Sequence, residues 1–413
     1  MRILVVTQYF WPENFRINDL AEELVKRGHE VTVLTGKPNY PSGELFPEYK
    51  ANPDAFGEYK GCHIVRVPIT MRGQGSGLKL ITNYLSYVLS ASIMGLFKLR
   101  KQKFDVIFVY EPSPVTVCLP AIFIKKIKKT PVVFWVLDLW PETLEAIGVV
   151  KSPRILSWVG RLVKFIYNRC DLVLGQSKAF YNGISQYCDN KDKIKYFPSW
   201  SESVFLEQSN PSVNDLVRSD SFKVLFAGNV GEAQDFPAIL SVAEVLKAQE
   251  HNIKIFVVGD GRAFEAIKQQ VQEKDLSEIV MLLGRFPLED MPAFYSAADA
   301  LLVTLKESKA FSMTIPGKVQ TYMAAGKPIL TMLSGEGSRV VDEAQCGLTA
   351  FSGDYNQLAN NMITMSSFTP EKLEELAKNS KAYAHKEFDR SALISQLEFW
   401  FGEVVAKSKE KQK

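Results

Sequence analysis

The 413-residue chain is sparing with the residues that most often announce chemistry. Its five cysteines (Cys62, Cys118, Cys170, Cys188, Cys346) are scattered and form no C-x-x-C, so neither a disulfide framework nor a thiolate zinc site is indicated. Four histidines (His29, His63, His251, His385) show no metal-ligand spacing. Net charge is only +3, which gives no bulk field for nucleic acid. The opening "MRILVV" carries an apolar run too short for a signal peptide and reads as a first strand. The longest uncharged stretch, Leu80 to Phe97, is interrupted by Thr, Asn and Ser. It reads as a half-buried helix rather than a membrane span. These absences point to a chain of the cell's reducing interior.

What is present is alternation. Short β-branched runs (2–6, 31–35, 63–67, 105–110, 132–137, 171–175) are interleaved with helical patterns. Between the first two, Ile17, Leu20, Ala21, Leu24 and Val25 share one helical face, and Gly28 ends the helix. Strand, helix and strand within 35 residues is a βαβ unit, which implies a parallel sheet. The alternation pauses in the Ser-rich stretch 198–221, read as a linker, and restarts with runs at 222–228, 253–259, 279–284, 299–304 and 328–332. The fold class expected is α/β, as two successive Rossmann-like parallel-sheet domains: 1–205 and 206–386. Open sheets of this kind bind ligands beyond the carboxyl ends of their strands. Two in succession suggest a cleft between them.

In the second domain three strands end in glycine: Gly228-Asn229 with Gly231, Gly259-Asp260-Gly261-Arg262, and Gly284-Arg285. Glycine lets a ligand approach the backbone, and helix N-termini attract anions. A glycine after a strand is most often just a turn, so each motif alone is weak; three at strand ends argue together for a ligand. "TIPGKVQTYMAAGKPIL" (314–330) then places Pro316, Gly317 and Lys318 where a helix starts. Proline suits that position and glycine bares the N–H groups, but a lysine opposes the helix macrodipole unless an anion shares the site. The reading is a diphosphate held by backbone N–H groups and Lys318. The alternative is a solvated lysine on an ordinary helix start.

"GNVGEAQ", "VGDGR" and "PGKVQTYMAAGKPIL", in that order, resemble the nucleotide-binding half of retaining glycosyltransferases of family 4, which have the GT-B fold. "RILVVTQYFWPE…LAEELVKRGHEVTVLT" and "FWVLDLWPETLEAIG" are similar to their first half. The resemblance is closest to N-acetyl-L-fucosamine transferases of bacterial O-antigen or capsule synthesis. It implies a hexosyltransferase-type enzyme, retaining and metal-independent. The substrates implied are a UDP-linked N-acetylated deoxy amino sugar and a lipid-linked oligosaccharide acceptor, with no cofactor. It also implies that Gly317 and Lys318 contact phosphate, that Arg262 adds charge, and that the backbone of Arg285 and Phe286 holds the base. Two positions that are glutamates in many family members are Met313 and Thr321 here. Thr321 or Gln320 is then left to meet the ribose, and Glu307 or Ser308 the sugar.

In the first half, "QYFWPENFR" (8–16) has Glu13, Asn14 and Phe15 where many relatives have two glycines. Asn14 is the polar group best placed toward the donor phosphates. "GKPNYPSGE" (36–44) is expected to face the acceptor. Asp138 and Glu142 sit at a strand end in "LDLWPE" and are the carboxylates to test as catalytic. Each reads equally well as a helix cap or an ion-pair partner. By the resemblance, the leaving diphosphate itself deprotonates the acceptor, which suits a chain without a catalytic triad. Basic residues cluster over 95–130 among apolar ones, as on a protein that meets an anionic membrane surface; solvated helix ends are the alternative. The location expected is cytoplasmic, peripheral at the inner face of the plasma membrane. The helix at about 387–405 is expected to pack back on the first domain. Two other readings are a GT-B-fold UDP-sugar epimerase and a silent sugar-nucleotide-binding partner.

Overall fold

The computed structural model describes residues 1–73, 77–146, 150, 152–200, 217 and 219–411. Most of the expected linker therefore lies outside the described residues. The chain forms two units, Met1–Phe197 with Ser391–Lys413, and Pro198–Arg390.

The first unit is built on an eight-stranded sheet ordered β3-β4-β2-β1-β5-β6-β7-β8. Its elements run β1 (Arg2–Val6), α1 (Arg16–Lys26), β2 (Glu30–Gly36), α2 (Pro47–Ala51), β3 (Glu58–Tyr59) and β4 (Cys62–Val67). Then follow α3 (Gly77–Ser90), a π turn over Ala91–Gly95, α4 (Leu96–Lys98) and β5 (Val106–Tyr110). The unit continues with α5 (Cys118–Lys128), β6 (Val132–Val136), α6 (Glu142–Ala146), α7 (Pro153–Arg169), β7 (Leu172–Gly175), α8 (Phe180–Tyr187) and β8 (Ile194–Tyr196). All pairings are parallel except β3 with β4. The central strands β1, β5 and β6 are apolar almost throughout because helices cover both faces.

The second unit has a six-stranded parallel sheet ordered β11-β10-β9-β12-β13-β14. It contains β9 (Phe222–Ala227), α9 (Phe236–Ala248), β10 (Ile253–Val258), α10 (Phe264–Glu273), β11 (Val280–Gly284), α11 (Met291–Ala297) and β12 (Ala300–Thr304). Next come α12 (Lys309–Met313), α13 (Gly317–Ala325), β13 (Ile329–Met332), α14 (Glu336–Ala344), β14 (Gly347–Ala350), α15 (Tyr355–Ser366) and α16 (Pro370–Glu387). One core, with Phe226, Phe236 and Ile255, lies on one face of the sheet; a second holds Leu225, Leu301 and Tyr322. The closing helix α17 (Arg390–Glu410) belongs, from Ser391, with the first unit. There Phe401 stands edge-on to Phe108 at 5.6 Å, and Arg27 and His29 both bond Glu398 (2.8 and 2.6 Å).

Every strand run read from the sequence is a strand, within one residue at most ends. The strands not foreseen, β3, β8 and β14, are two to four residues long, too short for periodicity to register. The stretch 80–97 differs from expectation. It is helical, but Ile81, Leu85, Leu89, Ile93, Met94 and Phe97 are exposed. By length and a mean hydropathy of 1.4, Lys79–Lys98 is also the one helix among the described residues that could cross a membrane.

Candidate active site

In the second unit the loops after β9, β10 and β11 are stacked backbone on backbone. The Gly228 N–H donates to Val258 O (2.8 Å) and the Gly259 N–H to Gly284 O (2.7 Å). Val230 N–H donates to Asp260 O at 2.9 Å. Gly228 and Gly259 have φ of +134° and +143°, and a Cβ on Gly259 would stand 1.8 Å from Gly228 O. Here glycine is demanded both by conformation and by space. A Cβ on Gly261 would likewise meet Val230 O at 2.3 Å. The loop after β12 joins this stack through Lys306 N–H to Ala233 O (2.9 Å).

Helix α13 docks on the end of β9. The Tyr322 hydroxyl accepts from Ala227 N–H (3.0 Å) and donates to Ala227 O (3.2 Å). One turn earlier, Lys318 lies under Gly228, with Nζ 3.6 Å from the centroid of the Phe226 ring. Part of the residue reaches solvent, yet Nζ has no hydrogen-bond or ion-pair partner among the described residues. Burial pulls the ammonium pKa down from 10.5 to about 7. This is an amine partly shielded from water against the Phe226 ring, at the start of a helix. Such a group gains most from an anion. The entrance is clear: a Cβ on Gly317 would meet nothing within 4 Å.

The other residues singled out in this unit take distinct places. Asn229 is exposed, its amide 3.4 Å from Gln234 Oε1. Arg262 and Arg285 are exposed on the loops after β10 and β11. Phe286 packs edge-on to Phe294 at 4.8 Å. Glu307 accepts from the Ser334 hydroxyl (2.9 Å), and Ser308 precedes α12. Met313 ends α12, and Thr321 is buried on α13. Gln320 donates to Ser199 O at 2.9 Å, leaving its Oε1 buried without a partner among the described residues.

In the first unit the carboxyl-end loops are joined by a carboxylate that the sequence reading passed over. Glu13 is buried and accepts from the N–H groups of Asn39 and Tyr40 (both 2.8 Å) and Phe10 (3.2 Å). Burial raises its pKa to about 7, against those bonds and nearby Arg66. Asn14 beside it is exposed. Tyr9, Phe15 and Tyr40 form a three-ring cluster with centroids 5.2–5.6 Å apart, and Arg72 stands over Tyr40 at 5.0 Å.

Asp138, after β6, accepts from the hydroxyl of Thr143. It is thus tied to the first turn of α6, a role close to the capping alternative. Glu142 opens α6 and is half-buried. Behind them Glu111, directly after β5, is fully buried and accepts from Leu137 N–H at 3.3 Å. Burial first, then the Asp138 charge, raises its pKa well above the ordinary carboxylate value. The available signal was a glutamate ending an otherwise apolar run, "DVIFVYE". The cysteine scatter likewise hid a pair: Cys118 and Cys170 are buried with sulfurs 3.6 Å apart.

An open groove of about 1280 Å³ runs along α5, α7 and α17. It reaches Thr130, Pro131 and Asp171, at the amino ends of β6 and β7, and so lies opposite the loops just described.

Two parallel-sheet α/β domains of this construction have the GT-B glycosyltransferase fold. HepE from Anabaena, solved in complex with UDP, matches with a TM-score of 0.71 at 17% identity, over 98% of this chain and 100% of that one. Residues 14–200 match the family described as Glycosyl transferase 4-like domain, and residues 212–383 the family described as Glycosyl transferases group 1. Between them these two matches cover most of the chain, one in each half, so each half resembles a glycosyltransferase domain. The Probable glycosyltransferase WbjE of Pseudomonas aeruginosa is 29% identical over 52% of this chain; the match spans 55% of that protein, about half its length. The Putative colanic acid biosynthesis glycosyl transferase WcaI of Escherichia coli is 24% identical over 79% of this chain and 82% of that protein.

Proposed function

We propose that this glycosyltransferase moves an N-acetylated deoxy amino sugar, of the N-acetylfucosamine kind, from UDP to a lipid-linked oligosaccharide. The setting would be surface-polysaccharide assembly at the inner face of a bacterial plasma membrane. The observation that carries the donor half is Lys318, an unpaired ammonium beneath Gly228 at the open start of α13. A diphosphate at that helix start would meet backbone N–H groups and restore the charge that burial has weakened. The similarity to WcaI, a putative colanic acid biosynthesis glycosyl transferase, and the UDP bound to HepE agree with this reading.

In the proposed reaction the anomeric C–O bond to the diphosphate breaks as the acceptor oxygen bonds to the same carbon from the same face. The acceptor proton passes to the leaving diphosphate. The protein's part is positioning and stabilising the departing negative charge. Lys318 does the latter without a metal ion. Asp138, Glu142 and Asn14 are offered as acceptor-side groups, and the Tyr9–Phe15–Tyr40 cluster gives sugar rings an apolar platform.

The test is a thermal-shift series with UDP, GDP, ADP and CMP, since a ligand of the folded state alone raises the melting temperature. A shift with UDP and none with the others is expected. A preference for GDP or ADP would overturn the donor. UDP release from a UDP-sugar without any acceptor would favour the epimerase reading, and no release with acceptors present the silent-partner one.

A further inference from the structure

The connections β4→β5, β5→β6 and β6→β7 all step the same way across the sheet, while β1→β2 steps the other way. Right-handed crossovers therefore put the α3–α4 segment, α5 and α7 together on the face opposite α1. The helices are neighbours: α5 packs against α3 and its π turn on one side and α7 on the other. Their inner residues, such as Tyr87, Ile124 and Ile166, are buried.

The outer surface of this layer is unlike the rest of the molecule. More than half of the exposed large hydrophobic side chains among the described residues lie on it. On the first helix they recur every fourth residue: Ile81, Leu85, Leu89, Ile93 and Phe97. Four-residue spacing drifts around an α-helix, and the wider π turn over Ala91–Gly95 offsets that drift. Ile93 is 66% exposed, Phe97 65%, and Trp158 on α7 68%. Three exposed aromatics each carry an arginine on the ring: Phe97 with Arg100 (4.0 Å), Trp158 with Arg161 (5.1 Å) and Phe165 with Arg169 (4.8 Å). That arrangement suits a boundary with apolar material on one side and anions on the other.

The charge is just as one-sided. Residues 77–104, 118–130 and 153–169 contain thirteen lysines and arginines and no aspartate or glutamate. Since the whole chain is +3, everything outside these stretches carries a net −10. Only some of these cations are used internally, as in Lys125–Asp171 and Lys164–Asp189. The groove described above continues the surface, with Phe123, Phe165, Lys126 and Arg169 among its lining.

We propose that this three-helix layer lies in the interface of an anionic lipid bilayer, its apolar side chains inserted among the acyl chains and its cations on the headgroups. The inference deepens the proposed function, whose acceptor is a lipid, and extends the basic patch to α7. It differs from purely electrostatic docking because insertion buries apolar area. It also assigns Lys79–Lys98 to lying along the surface: its helix carries buried Asn83 and Tyr87 on the side bonded to the sheet loops.

The experiment is vesicle flotation of the full chain with phosphatidylcholine alone or mixed with phosphatidylglycerol. Binding to the mixed vesicles is expected, and little to the neutral ones. In the Phe97→Trp variant, lipid brominated in its acyl chains should quench the new fluorophore. Ile93→Ser with Phe97→Ser should weaken partitioning by about tenfold or more, with an unchanged melting temperature. Arg100→Glu with Arg161→Glu should abolish it at low salt. Sedimentation velocity should show the same oligomeric state for wild type and the double serine variant. No binding to anionic vesicles, no quenching, or a wild-type dimer that this variant dissociates would overturn the proposal. Vesicle binding and UDP thermal shift are read separately, so failure of either is distinguishable from failure of the other.

Discussion

The Tyr322 hydroxyl holds both backbone groups of Ala227, accepting from its N–H at 3.0 Å and donating to its carbonyl at 3.2 Å. These residues lie on different elements, yet this bond fixes where α13 starts relative to the end of β9. Because Lys318 is one turn earlier on the same helix, the clamp also sets the lysine beneath Gly228. Tyr322→Phe keeps the ring packing and leaves a buried N–H without its partner. A loss of about 1–3 kcal/mol in stability is expected. UDP-induced thermal shift should shrink with it, because the lysine's seat is loosened. A variant that melts like wild type and shifts as far with UDP would remove Tyr322 from this role.

Lys318→Met keeps the apolar stem and removes the charge. Turnover should fall by about 10²-fold or more, as for loss of one charge-stabilising group. The pH dependence tests the same group. Free Lys318 titrates near 7, and a bound diphosphate raises that value. Binding therefore takes up a proton above pH 7, and UDP affinity should weaken as pH rises through and beyond it. In the Met variant that slope should vanish. On stability the sign is opposite: the unfolded lysine protonates below 10.5 and the folded one only near 7, so stability attributable to this group rises with pH between the two.

Two glycines separate space from function. At Gly259 a Cβ would lie 1.8 Å from Gly228 O on a backbone with φ +143°. Gly259→Ala should cost several kcal/mol, more than the ~1–3 typical of backbone strain alone, seen as a large drop in melting temperature. At Gly317 a Cβ meets nothing. Gly317→Ala should be neutral or stabilising by up to about 1 kcal/mol, yet should weaken UDP if a phosphate rests against that backbone. Unaltered UDP affinity in this variant would place the phosphate elsewhere.

Glu13 provides a separate pH signal. Its folded pKa, about 7, is above the ordinary 4.5, so its contribution to stability is full below 4.5 and is lost as pH rises through 7. Glu13→Gln should flatten that part of the pH–stability curve. Glu13→Ala, which strands three backbone N–H groups, should cost about 3 kcal/mol or more. Equal pH curves for wild type and the Gln variant would show that another group titrates there.

The strand runs and turn glycines were legible because they are local: a β-branched run or a glycine after a strand needs no knowledge of distant residues. The site was legible in part. Pro316-Gly317-Lys318 announced itself by a charge placed against the helix dipole. Glu13 and Glu111 did not, because a carboxylate's sequence neighbours do not say how deeply it is buried. The helix from Leu80 was read as half-buried from composition, although exposure depends on which neighbours cover it.

The sequence by itself determined two parallel-sheet domains, their ligand-bearing strand ends and the start of α13. Its acid-free stretches were also fixed there. Tertiary structure alone decided that Phe226, Gly228 and Lys318 share one small space, so that a surface-type lysine titrates near 7. It also gathered three separate basic, apolar helices into one layer and returned α17 to the first unit. The reason is physical. Desolvation and shared faces are properties of what packs together across the chain, and periodicity reports only what repeats along it.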